Sequence, residues 1–312
     1  MKFIITVDTE GDNQWSKEKK ITTENLKFLP RFQRLCERYG FIPTYLLSYE
    51  VTQDETAVKI LSDWQGLKKA EIGAHLHPWV MSDYKGEGQA YPSELTDHDL
   101  KQQLEMLTWA IEEKFNNRPT SYRAGRWGFN ERQAKILKNL GYLVDCSITP
   151  KINWAKTLGL IGGQGGPDFR FSQVMPYYIF DGLLEIPMTI LFTGILKKEK
   201  NACANFFLGL TNGFLKKILN KILFRQKWLR IFPGSGEGDW INIYKSAKLN
   251  KLPCLEFMIH SSELMPGGSP YAKDEAAVEL IYDQLEKMFN YFNSQGLAGA
   301  SLSEFARDYK NY

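Results

Sequence analysis

Charge of one sign is not in excess in this chain: 39 basic and 36 acidic residues among 312 leave a net charge of only +3, and there is no long basic run. Composition therefore gives no basis for nucleic-acid binding. Cysteine is scarce as well. Cys36, Cys146, Cys203 and Cys254 have no short mutual spacing, which argues against a zinc ribbon or a disulfide framework, and three of them sit in apolar runs. Free, mostly buried thiols in a reducing compartment are expected. No internal repeat or low-complexity tract interrupts the pattern. Read as an N-terminus, Met1-Lys2 runs straight into a strand and leaves no room for the apolar region and cleavage site of a signal peptide, so a cytoplasmic protein is expected. Histidine is limited to four residues, and two of those stand two apart.

At 43% hydrophobic residues the chain is globular, and its length suits one large domain with an insertion as well as it suits two domains. Periodicity and punctuation predict strands alternating with helices, the order of a parallel sheet or barrel. A strand ends near Asp8, a helix covers about 25–39, a strand 42–47, and a helix 54–64 behind the N-cap Asp54. A strand over 70–74 precedes a long helix that starts near Thr96 and reaches Phe115. Short strands at 121–124 and 142–147 flank a helix capped by Asn130 and closed by Gly141. Residues 148–181 are glycine-rich, with Gly162, Gly163, Gly165 and Gly166, and read as a long functional loop. Strands over 183–187 and 254–259 and a helix over 274–292 follow.

The first strand closes on Phe3-Ile-Ile-Thr-Val-Asp-Thr-Glu-Gly-Asp12, with acids at alternate positions. Side chains two apart on a strand point the same way, so Asp8 and Glu10 repel unless a cation or proton lies between them. A solvated strand-to-loop turn is the plain alternative. The rest of the chain decides for a site, because polar residues recur where predicted strands end: His75 and His77, Arg123 and Arg126, Asp145 and Ser147, and His260. Strand C-termini of an α/β barrel converge on one mouth. Two neutral imidazoles from His75-Leu-His77 and one carboxylate make a three-donor set with an open position, as in a hydrolytic metal centre. His98, in a helix start, is expected to be solvated. A calcium loop is excluded, since Asn13 and Lys19 stand where an EF-hand needs its turn glycine and bidentate acid.

Together these segments resemble the polysaccharide deacetylases, the family 4 carbohydrate esterases, over most of the chain apart from about 148–250. The likeness rests on Val7-Asp-Thr-Glu-Gly11, Glu71-Ile-Gly-Ala-His-Leu-His-Pro78, Tyr122-Arg-Ala-Gly-Arg-Trp127, Asp145-Cys-Ser147 and Phe257-Met-Ile-His260. The second has a shorter histidine spacing than the family's, and the third lacks its usual proline. The resemblance implies a distorted (β/α) barrel of about seven strands, here a single domain over 1–312 with an insertion at about 150–250. It implies Glu10, His75 and His77 as ligands of one divalent metal, which the donor set suggests is Zn²⁺. Asp8 would be the base, His260 the general acid, and Arg123 the group that orients the base. Arg126, Trp127, Trp79 and Asp145 are expected on the substrate side, with Trp15 and Trp240 as further indoles able to stack on sugar or to close the core.

The implied activity is metal-dependent removal of an N-acetyl group from a sugar, on a cell-surface polysaccharide or a lipid-linked saccharide precursor. Two alternatives are a metal hydrolase of a non-sugar amide or cyclic imide, and a non-catalytic saccharide-binding relative. Residues 205–229 place apolar side chains at helical spacing beside Lys216, Lys217 and Lys221. Two readings fit that pattern: peripheral contact with an anionic inner membrane face, or a helix that covers the barrel with its lysines in water.

Overall fold

Eight residues from Lys2 to Thr9, mostly β-branched, form the central strand, and all but Lys2 are buried. The computed structural model describes residues 1–13, 20–81, 90–159, 163–180, 182–199, 201–210 and 213–309; Trp15 and Gly162 lie outside them. Along the chain the elements are β1 (Lys2–Thr9), α1 (Leu29–Arg38), β2 (Thr44–Leu47), α2 (Glu55–Gly66), β3 (Glu71–Leu76), α3 (Asp97–Phe115), β4 (Ser121–Ala124), α4 (Glu131–Asn139) and β5 (Val144–Asp145). There follow β6 (Tyr177–Phe180), β7 (Leu183–Glu185), β8 (Ile190–Phe192), α5 (Ala202–Gly209), α6 (Phe214–Leu219), β9 (Gln226–Trp228) and α7 (Glu237–Leu249). The chain ends with β10 (Cys254–His260), α8 (Glu275–Ser294), β11 (Ala298–Gly299) and α9 (Leu302–Asp308).

The helices start where side chains satisfy their first amides. Asp54 accepts from Thr56 and Ala57, Thr96 from Asp99, Asn130 from Gln133, and Asp274 from Ala277. In the sheet the order is β10-β1-β2-β3-β4-β5-β7-β6. The first seven in that order pair in parallel, and β6 is antiparallel on β7. The sheet curls into a distorted half-barrel with helices around it. Residues 150–250 are therefore not a single excursion: β7, inside that span, is itself a barrel strand, while β8 and β9 form a separate two-stranded sheet. β7 is the strand expected over 183–187, shortened to three residues.

Alternation along β1 divides two environments. Phe3, Ile5 and Val7 join the helix-side core, where Phe3 packs edge-on against Phe41, Phe289 and Phe292 with ring centroids 4.9–5.8 Å apart. Each such fully buried aromatic contributes about 1.5–3 kcal/mol. Ile4 belongs to an inner cluster with Leu46, Val144, Leu184 and Phe305 of α9. Thr6 and Asp8, two and four residues on, share that inward face, so the barrel interior turns from apolar to polar toward the strand C-termini. Cys36, Cys146 and Cys254 are buried and Cys203 is exposed, all four as free thiols. Among the described residues no helix is long and apolar enough to cross a membrane.

Candidate metal centre and cleft

Register brings the polar strand ends together. Asp8 on β1 is level with His260 on β10, and His75 on β3 with Arg123 on β4. Glu10, His75 and His77 are buried, and each offers one ligating atom such that all three atoms lie within 4.8 Å of one another. His77 Nε2 is 2.7 Å from Glu10 Oε2, and His75 Nε2 is 3.7 Å from the same oxygen and 3.9 Å from Asp8 Oδ2. His75 Nδ1 lies 3.0 Å from the Arg123 carbonyl. A carbonyl only accepts, so Nδ1 carries the proton and Nε2 is left with its lone pair toward the carboxylates. This is the outer-shell arrangement that orients a ligating imidazole. Burial and the neighbouring His75 push the His77 imidazole down to about 4, so it stays neutral. Burial pushes the Glu10 carboxyl up, but its bonds to His75 and His77 outweigh that and hold it well below the usual range. A neutral imidazole, a second with its lone pair presented, and an ionised carboxylate fit a divalent cation. Gly125 makes room for the set: a Cβ there would lie 2.4 Å from both His77 Nδ1 and the Leu76 carbonyl.

Two groups flank the donors. Asp8 Oδ1 receives Arg123 Nη1 at 2.5 Å, and its Oδ2 lies 3.9 Å from His260 Nε2. Burial pushes the Asp8 carboxyl up, and Arg123, His75 and His260 together outweigh it, so Asp8 is held below its ordinary value. On the other side, His260 Nδ1 is 2.7 Å from Glu263 Oε1, which Arg230 Nη2 also reaches at 2.5 Å. Glu263 is buried, but Arg230 and His260 hold its carboxyl down. An ionised partner on Nδ1 fixes the tautomer and leaves Nε2 to face Asp8 and the cleft.

Beneath the donors lies a buried polar layer, in which Arg123 is the only cation among the described residues. Its Nη2 donates to Glu256, its Nε to the Cys146 carbonyl at 3.1 Å, and its guanidinium lies over Trp127. Burial pushes Glu256 up, and Arg123 and Thr6 do not fully offset this. The Arg123 charge is thus committed chiefly to Asp8. Asp145, expected on the substrate side, sits in this layer instead. It is fully buried, accepts from Ser147 Oγ at 2.6 Å, stands level with Glu185 on β7, and does not line the cleft. Burial and Asp145 drive the Glu185 carboxyl well above its ordinary 4.5. A raised folded-state value means the folded protein holds a proton that the unfolded chain releases, so stability falls as pH rises above about 4.5. Glu185→Gln, which fixes the protonated shape, is expected to be more stable than wild type at pH 8 and equal to it near pH 4. Urea unfolding across pH checks this, and parallel profiles for the two proteins would contradict it.

The open side of the donors is a cleft of about 300 Å³ walled by Trp79, Tyr91, Trp127, Trp154, Trp228, Phe232 and Tyr271, with Arg126 and Arg230 at its edges. Arg126 is exposed and stacks over Trp79. Arg126 and Trp127 both adopt positive φ, at 52° and 62°, a costly backbone for non-glycine residues that recurs at functional sites. Asp8, Glu10, His75, His77, His260, Trp79, Arg126 and Trp127 therefore converge on one cleft, with Arg123 directly behind Asp8. Trp240 is a core residue of α7, and His98 is solvent-exposed on α3. Arg230, Glu263, Glu256, Glu185 and five of the aromatic walls were not singled out from sequence. Glu185 and Glu256 carried a signal, each a lone acid in a buried apolar strand, as did Glu263, three residues after His260. A larger hollow of about 1250 Å³ opens at the other end of β1, beside Met1 and Lys2. Among the described residues it holds no cluster of metal-ligating side chains.

No protein-family model and no curated protein matches the chain in sequence. Solved structures do match in fold. A protein from Mycobacterium smegmatis that is named as a polysaccharide deacetylase aligns with 96% of this chain and 94% of its own at a TM-score of 0.50 and 13% identity. A 4-α-glucanotransferase from Thermococcus litoralis aligns with 99% of this chain but only 39% of its own, at 0.52 and 11%. At such identities the likeness concerns the fold and leaves the chemistry to the site. The chain has the distorted (β/α) barrel fold shared by the polysaccharide deacetylases.

Proposed function

We propose that this protein is a metal-dependent deacetylase that hydrolyses an N-acetyl group on a sugar, within a cell-surface polysaccharide or a lipid-linked precursor of one. The observation that carries the reading is the donor set Glu10, His75 and His77 at the floor of an aromatic cleft, with a carboxylate and an imidazole on either side. Two imidazoles and one carboxylate suit Zn²⁺. The chemistry a divalent cation supplies in such a set is polarisation of an acyl oxygen and acidification of water.

The protein's own groups divide the proton transfers. Asp8, kept ionised by Arg123, presents Oδ2 to the cleft and accepts the proton of the attacking water. His260, its Nδ1–H donated to Glu263, acts in its doubly protonated form and gives the Nε2 proton to the departing sugar nitrogen. Both atoms face the same space, so one acetamide reaches base and acid without moving. The indole and phenol walls provide flat apolar faces for a sugar ring, and Arg126 provides donors at the rim.

His75→Ala and His77→Ala are each expected to bring the metal content of purified protein from about one equivalent to below about a tenth, with the circular dichroism spectrum retained. Elemental analysis of protein prepared without added metal decides it. Full occupancy in both variants would remove the site.

A further inference from the structure

Among the described residues, exposed large apolar side chains cluster in one short span. Phe206 is 65% exposed, Phe214 79%, Leu215 56% and Ile222 57%, and Ile218 is exposed beside them. Phe214, Ile218 and Ile222 are spaced by four, so they share one side of the α6 segment and its last turn. Lys217 and Lys221, also four apart, are exposed on the flank of that side. The opposite side is anchored. Leu219, Leu223 and Phe224 pack with Phe207 of α5 and Phe192 of β8, the Phe207 and Phe224 rings stacking at 4.3 Å. The segment thus buries one apolar face against the protein and leaves a second, cation-flanked one in water.

Charge selects what covers that second face. From Asn201 to Arg230 the sequence contains no acidic residue, and it carries Lys216, Lys217, Lys221, Arg225, Lys227 and Arg230. Lys227 pairs with Asp239 and Arg230 with Glu263, whereas Lys217, Lys221 and Arg225 form no ion pair among the described residues. Apolar side chains flanked by uncompensated cations form the pattern of a segment that lies in a headgroup layer. The helices here are too short to cross a bilayer. Six residues after Ile222 the chain enters the cleft wall as Trp228, a reach of at most about 20 Å.

We propose that the face formed by Phe214, Ile218 and Ile222 docks on an anionic bilayer surface, and that the cleft accordingly takes saccharides carried on a membrane lipid. The docking stands apart from the chemistry; the choice of substrate rests on the deacetylase reading. The test is co-sedimentation of the full chain with vesicles of phosphatidylcholine alone and of phosphatidylcholine mixed with phosphatidylglycerol. Wild type is expected on the mixed vesicles only, with partitioning that weakens as salt rises. Lys217→Gln with Lys221→Gln and Arg225→Gln is expected to weaken it roughly a hundredfold, at about fivefold per cation. A separate Phe214→Ser, Ile218→Ser and Ile222→Ser variant is expected to abolish it. All six positions are exposed, and unchanged urea unfolding and metal content show that each variant is folded. Equal partitioning of wild type onto both vesicles, or no effect of the charge variant, overturns the docking. So does a concentration-dependent dimer that the serine variant abolishes while vesicles bind nothing, since the face would then belong to a second copy. If docking holds, a vesicle-anchored N-acetyl saccharide should release acetate at least tenfold faster than its soluble form. Equal rates overturn the lipid-carried substrate, and no acetate from either form counts against the deacetylase reading while leaving the docking in place.

Discussion

Asp8→Asn is expected to lower kcat for acetate release at least a hundredfold while leaving metal content and saccharide affinity close to wild type. The reason is positional. Asp8 Oδ2 faces the cleft 3.9 Å from both His75 Nε2 and His260 Nε2, and Oδ1 is spent on Arg123. The amide of Asn keeps the shape but accepts no proton, so the loss falls on the transition state, in the range of about 10²–10⁴ for a positioned acid or base. His260→Ala is expected to match it in size, again in kcat and not in KM, because His260 is not among the metal donors. The measurement is steady-state acetate release together with elemental analysis and saccharide binding for all three proteins. An Asp8→Asn enzyme within about threefold of wild type in kcat would remove Asp8 from the proton transfers.

The largest effect on stability is expected at Arg123. It is fully buried and is the cation that keeps Asp8 ionised, with Glu256 bonded to its other edge. Arg123→Met leaves a buried carboxylate without its counter-charge and the Cys146 carbonyl without its donor, at a cost of about 3–5 kcal/mol. Adding Glu256→Gln is expected to recover part of this, since one of the two carboxylates then needs no cation. Urea unfolding of both variants at neutral pH gives the comparison. A loss below about 1 kcal/mol for Arg123→Met would mean that the carboxylates find other compensation and that Asp8 does not depend on Arg123.

What sequence made legible was local. Asp54, Thr96 and Asn130 cap the helices they were expected to cap, because capping depends on the cap residue and the next three amides. The convergence of Asp8, His75, Arg123 and His260 followed from their places at strand ends, since parallel strands in a curled sheet bring their C-termini to one mouth. What stayed hidden was non-local. Arg230 reaches Glu263 across 33 positions from an irregular span with no periodicity to place it. Trp154, Trp228 and Tyr271 meet at the cleft from two separate loops and a three-residue strand. Asp145 shows the limit of the strand-end rule: on a two-residue strand, its side chain turns to Ser147 and Glu185, below the mouth and not into it.

The central claim is that a metal held by Glu10, His75 and His77 enables this cleft to remove acetyl groups from sugars. It is tested most directly by acetate release from N-acetylated saccharides by one preparation in three states: as purified, stripped with a chelator, and reloaded with a single equivalent of Zn²⁺. The account predicts activity in the first, loss in the second and recovery in the third, with no recovery in a His77→Ala protein. A metal-loaded wild type that binds saccharide but releases no acetate from any acetylated sugar would contradict it and would make the barrel a saccharide-binding module.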